Sequence, residues 1–118
     1  MADHGLFIGW SDPARGRERK AIEVFNEAVA FYAELERRGE IESFEAVLLE
    51  PHGGDLNGFF LLRGERDKLA RLRWSDEFTR LNTRAALVVD GFGVVGAALG
   101  GRIPERMAAY EEAVADLA

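Results

Sequence analysis

Apolar positions along the chain follow two periodicities, and their alternation predicts the order of elements. Leu6-Phe7-Ile8-Gly9-Trp10 is short, rich in aromatic and β-branched residues, and closed by Ser11-Asp12-Pro13. That pattern predicts a strand, then a turn into a helix with Asp12 as cap and Pro13 at the first helical position. Gly16 weakens this start, so regular helix is expected from near Arg17. Ala21, Phe25, Ala28, Tyr32 and Leu35 then recur at helical spacing, with Ile22, Val24, Val29 and Phe31 widening the stripe. Arg37 and Arg38 suit the negative end of the helix, and Gly39 suits the residue beyond it. Residues 41–50 alternate as a strand, Pro51-His52-Gly53-Gly54-Asp55 reads as a turn, and residues 58–63 form a third strand. Two apolar runs flanking Gly-Gly predict an antiparallel hairpin.

Residues 65–73 predict a short charged helix anchored by Leu69 and Leu72. Ser75 is the cap of the next one, with Asp76 and Glu77 favourably placed in its first turn. Phe78, Leu81, Ala85 and Val88 carry its stripe to a stop at Asp90-Gly91. Residues 92–99 are uncharged and valine-bearing, predicting a fourth strand; the competing reading makes residues 85–99 one long strand. The unbroken stripe through Ala85 favours the helix. After Gly100-Gly101, the residues Ile103, Met107, Tyr110, Val114 and Leu117 mark a final amphipathic helix.

The main elements therefore run β-α-β-β-α-β-α. The first six match a split β-α-β, ferredoxin-like arrangement of α+β class, with two helices on one face of a four-stranded antiparallel sheet. The other face should then be polar, and it is not. Strand three is apolar at every position from Phe59 to Leu62, and strands one and four are apolar on both faces. Such a sheet needs a cover on each side. The C-terminal helix is one available cover. A second copy packing sheet against sheet is the other, and it is favoured because one helix covers only part of four strands.

This order, the length, the doubly apolar sheet and the extra C-terminal helix resemble the dimeric α+β barrel superfamily. That group includes cofactor-independent antibiotic-biosynthesis monooxygenases, stress-responsive barrel proteins and many small bacterial proteins without known function. The resemblance spans nearly the whole chain and is architectural; no motif belongs to one member family, so no catalytic residues are carried over. It implies a homodimer and a cleft between sheet and helices, where the monooxygenase members hold polycyclic substrates with aromatic and polar side chains.

Composition narrows the chemistry. With 118 residues, 47% of them apolar, the chain is expected to form one domain over residues 1–118. Fifteen Lys and Arg against 21 Asp and Glu give a net charge of −6, which argues against a nucleic-acid partner. The absence of cysteine excludes thiol catalysis, disulfides and cysteine-ligated metals. With only His4 and His52 as histidines, and with no HExxH, EF-hand, P-loop or GxSxG pattern, no metal or cofactor is expected. The N-terminal MADHGLFIGW has no basic region and no long apolar run, so a signal peptide is not read there. No run is long enough to span a membrane, and a soluble, cytoplasmic protein is expected.

A few residues are candidates for a site. With the hairpin centred on Gly54, Glu45 faces Arg63 across the strands, a pair that stabilises by a few tenths to about 1 kcal/mol and is placed to orient a polar ligand inside a barrel. A marginal ion pair is the plainer reading, and a one-residue shift in register would separate the two charges. His52, in the turn, is a candidate base or ligand contact, against the plainer reading of a solvated loop residue. Trp10 and Trp74 are candidates for stacking on a flat ligand, or else they fill a core or interface. Asn57, Asn82 and Tyr32 are possible polar contacts, while Arg15, Arg17, Arg19 and Lys20 read as a solvated helix start. The leading expectation is a homodimer binding a small apolar or aromatic molecule. The alternatives are a cofactor-independent monooxygenase-like or isomerase-like enzyme, and a structural or regulatory homodimer without ligand.

Overall fold

The computed structural model describes residues 2–117. Its elements in chain order are β1 (His4–Trp10), α1 (Glu18–Arg37), β2 (Ser43–Leu48), β3 (Gly58–Gly64), α2 (Arg66–Arg73), α3 (Asp76–Val88), β4 (Gly93–Ala98) and α4 (Arg102–Ala115). The strands form an antiparallel sheet in the order β2-β3-β1-β4, the ferredoxin-like topology, with α4 added at the end.

Strand alternation sends Leu6, Ile8, Phe60 and Leu62 to one face, where all are buried. The stripe Val24, Ala28, Tyr32 and Leu35 of α1 packs there, joined by Phe78, Leu81 and Val88 of α3. Leu69 and Leu72 anchor α2 at the margin of the same core. Each large apolar side chain buried in this way contributes about 1.5–3 kcal/mol before its ordering entropy is subtracted. Ser75 caps α3 by accepting the Phe78 N–H at 3.2 Å, and Gly39 follows α1 at φ 74°.

Asp12 does not cap α1. Gly16, at φ 86°, breaks the chain between Pro13 and the first helical turn, and the helix begins at Glu18 without a side-chain cap. Asp12 instead accepts from Asn57 Nδ2 at 2.7 Å, tying the β1–α1 connection to the β2–β3 connection.

The hairpin register also differs from expectation. Ser43 faces Arg63 and Glu45 faces Leu61, a shift of two residues from a hairpin centred on Gly54. A two-residue shift preserves the faces, so Glu45 and Arg63 share one and meet diagonally, Nη1 to Oε1 at 3.0 Å.

That second face carries Phe7, Val47, Phe59, Leu61 and Val95, with the Phe7 and Phe59 rings 5.0 Å apart. Among the described residues, α1 and α3 pack on the opposite face and leave this one only partly covered. The terminal helix touches the rest chiefly through β4 and buries none of its residues, so its apolar stripe stays open as well. The radius of gyration, 16.1 Å, records this projection; a compact chain of this length would have about 13.5 Å.

Candidate functional site

A cavity of about 370 Å³ lies between the inner face of the sheet and the helices α1 and α3. Its size is at the lower end of the range of about 300–1,000 Å³ found for small-molecule sites. Large aromatics line it from both sides, Trp10 and Phe60 from the sheet and Phe25 from α1. Small residues, Ala21 and Ala28 on α1 and Ala85 on α3, also line it. The two helices are tied to each other by Arg84, whose Nε and Nη2 donate to the Glu27 carboxylate at 3.1 and 2.6 Å.

The aromatic lining is one packed group. Phe60 lies 5.2 Å from Phe25, 5.4 Å from Trp10 and 5.0 Å from Tyr32, between ring centroids. Gly58 makes this possible: a Cβ there would stand 2.6 Å from the Trp10 indole. Gly58→Ala is therefore expected to displace Trp10 at a cost of about 1–3 kcal/mol. The check is a shift in tryptophan emission together with a lower melting temperature; unchanged emission would show that Trp10 is not held by this contact.

Polar groups at the cavity are few. Tyr32 is 1% exposed, and burial pushes its phenol well above the ordinary tyrosine range, so it stays protonated. Tyr32 lines the cavity, and its hydroxyl is not a sealed polar atom left without a partner. Asn82 adds an amide, and Glu18 lies exposed at the rim.

The residues singled out in the sequence fall in different places. Trp10, Tyr32 and Asn82 line the cavity. Glu45 and Arg63 pair on the opposite face of the sheet, both partly exposed. His52 is exposed in the β2–β3 connection, with Nδ1 accepting from the Gly54 N–H and Nε2 against the Leu56 carbonyl at 2.7 Å. Asn57 is spent on Asp12. Trp74 follows α2, 78% exposed and away from the cavity. Phe25, Phe60, Ala85 and Phe92 are cavity residues that sequence reasoning missed. Phe25 and Ala85 were legible as core stripes, but no periodicity says which core positions leave a void. Among the described residues, no three His, Asp or Glu side chains gather as a metal-binding group, and no helix is long and apolar enough to cross a membrane.

No protein-family model matches the chain, and no curated protein sequence matches it significantly. Solved structures do match in fold. One is a dimeric protein of unknown function and ferredoxin-like fold from Bacteroides fragilis, with TM-score 0.60 and 12% identity over 81% of this chain and 95% of that one. A dimeric ferredoxin-like protein of unknown function from Jannaschia gives TM-score 0.59 and 12% identity over 82% of this chain and 98% of that one. SnoaB, a cofactor-independent oxygenase from Streptomyces nogalater, gives TM-score 0.56 and 17% identity over 87% of this chain and 99% of that one. At these identities the likeness is one of fold.

Proposed function

We propose that this chain is a single-domain, cytoplasmic protein that binds a small, flat, apolar molecule in the cavity between the sheet and α1/α3, and works as a homodimer. The observation that carries the binding reading is the cavity itself, lined by aromatic and alanine side chains, with Tyr32 and Asn82 among its few polar lining residues. Apolar burial supplies affinity in such a site, and the few polar groups orient the ligand. A molecule with one hydroxyl or carbonyl on a fused ring system matches this set, with Trp10 and Phe25 against the ring and Tyr32 donating to its oxygen.

The homodimer reading rests on the partly covered outer face and on similar folds described as dimeric. Two copies related by a two-fold axis would bury Phe7, Phe59, Leu61 and Val95 against the same residues of the partner.

Binding is better supported than catalysis. Removing a proton from a bound molecule needs a base at the cavity wall. Tyr32 is held as the neutral phenol, Asn82 is not basic, and the Glu18 carboxylate is exposed at the rim.

Thermal denaturation with 1-naphthol tests the binding reading. At a ligand concentration a hundred times Kd, stabilisation of about 2.7 kcal/mol is expected, a rise of roughly 10 °C. Ala85→Phe fills the cavity from α3 and should abolish that rise while the fold is retained. Equal stabilisation of Ala85→Phe and the unaltered protein would place the ligand elsewhere and refute the reading.

A further inference from the structure

A second concavity, of about 510 Å³, lies at the other end of β1, near His4, between α2, β4 and the start of α4. Arg66 and Arg73 come to it from α2, and Arg102 and Arg106 from α4. No Asp or Glu is among the described residues lining it, in a chain whose net charge is −6. The ion pairs among described residues engage Lys20, Arg37, Arg38, Arg63, Arg84 and His4, and none of these four arginines. Asp3 stands at the margin beside Gly100 and Gly101, with its carboxylate against His4 Nδ1 at 3.0 Å.

Like charges brought together from two helices oppose each other unless an anion lies between them. Arg73 is held in place, donating to the Val94 carbonyl at 3.3 Å with its guanidinium carbon 5.6 Å from the centre of the Trp74 ring. Trp74 lines the same concavity, exposed beside these cations. The floor is small and open: Ala98 lines it, and nothing lies within 4 Å of where a Cβ on Gly96 would stand. A flat group can therefore approach the backbone of β4 there. Guanidinium forks match phosphate and carboxylate oxygens in pairs, and an indole face accepts a ring.

We propose that this concavity is a second binding site, for a small molecule joining a phosphate or carboxylate to a flat ring. The anion sits among Arg66, Arg73, Arg102 and Arg106, and the ring lies on Trp74. Such a ligand also bridges α2 to the first turns of α4, a helix otherwise held chiefly by β4. The site is independent of the apolar cavity and takes the opposite class of molecule.

The test uses the full chain with 1-naphthyl phosphate and inorganic phosphate, followed by calorimetry. Tryptophan emission is read in Trp10→Phe, which leaves Trp74 as the reporter. The phosphate ester should quench Trp74 and bind at least about tenfold tighter than inorganic phosphate, because only the ester can stack. Its affinity should fall as salt rises. Arg66→Gln with Arg106→Gln should weaken it by at least about tenfold, leaving the melting temperature and the response to 1-naphthol unchanged. Trp74→Leu should bring the ester down to the affinity of inorganic phosphate. Three outcomes would overturn the proposal. One is no binding of either anion at millimolar concentration. Another is binding untouched by the arginine changes but lost in Ala85→Phe, which moves the ligand to the apolar cavity. The third is an arginine double variant that changes the solution mass and binds neither anion more weakly, which makes the patch a protein contact.

Discussion

Phe60→Ala is expected to lower stability by about 3–5 kcal/mol and the melting temperature by roughly 12–20 °C. Phe60 is buried at the centre of the inner face of the sheet, on a strand paired at both sides. It touches three other rings, Trp10, Phe25 and Tyr32, all within 5.4 Å between centroids. Truncation removes the transfer energy of the ring, the aromatic pair energies and part of the cavity lining. Against a total of about 6–18 kcal/mol for a chain of this length, such a loss is a large fraction. Circular dichroism melts would show it. Phe60→Leu, which keeps most of the volume, should recover more than half. A fall of under about 3 °C for the alanine variant would mean that the aromatic group is not a continuous core.

The neighbouring residue should behave in the opposite way. Phe59→Lys is expected to leave the monomer folded and to dissociate the proposed dimer, so that light scattering reports the 13.1 kDa chain in place of twice that mass. Phe59 lies on the outer face with Phe7, only half-buried in the isolated chain. In a two-fold pairing each copy presents it once, so one substitution places two cations in the interface. At about 2 kcal/mol or more for each buried aromatic lost, association should weaken by roughly a thousandfold. An unaltered protein that scatters as a monomer at micromolar concentration, or a Phe59→Lys variant that stays dimeric, would remove the sheet-to-sheet assembly. Two adjacent phenylalanines thus separate the core from the proposed interface, because successive side chains of a strand point to opposite faces.

Residue patterns made much of this visible. Periodicity located every strand and helix to within a few residues, Ser75 and Gly39 marked their helix ends, and the doubly apolar sheet was read from residues 59–62. The pairing of Glu45 with Arg63 was legible as a shared face but not as a diagonal. Turn composition could not say how many of the residues between β2 and β3 remain paired, so the register moved by two. Trp10 and Trp74 looked equivalent as stacking candidates, yet one lines the apolar cavity and the other stands exposed among arginines. The basic cluster apparent along the chain, from Arg15 to Lys20, differs from the one that converges in space.

From its sequence alone, this protein has a determined element order, a helix stripe, and a division of each strand into two faces. These follow from local periods of 3.6 and 2 residues, which adjacent positions carry by themselves. Tertiary structure decided the hairpin register, the cavity that Ala28, Ala85, Trp10 and Phe60 line together, the exposure of α4, and the bringing of Arg66 and Arg106 to one concavity. Each of these depends on residues far apart in the chain, whose separation is set by how whole helices settle on the sheet. A local pattern says which side of an element is apolar; only packing says what that side meets, and where it meets nothing.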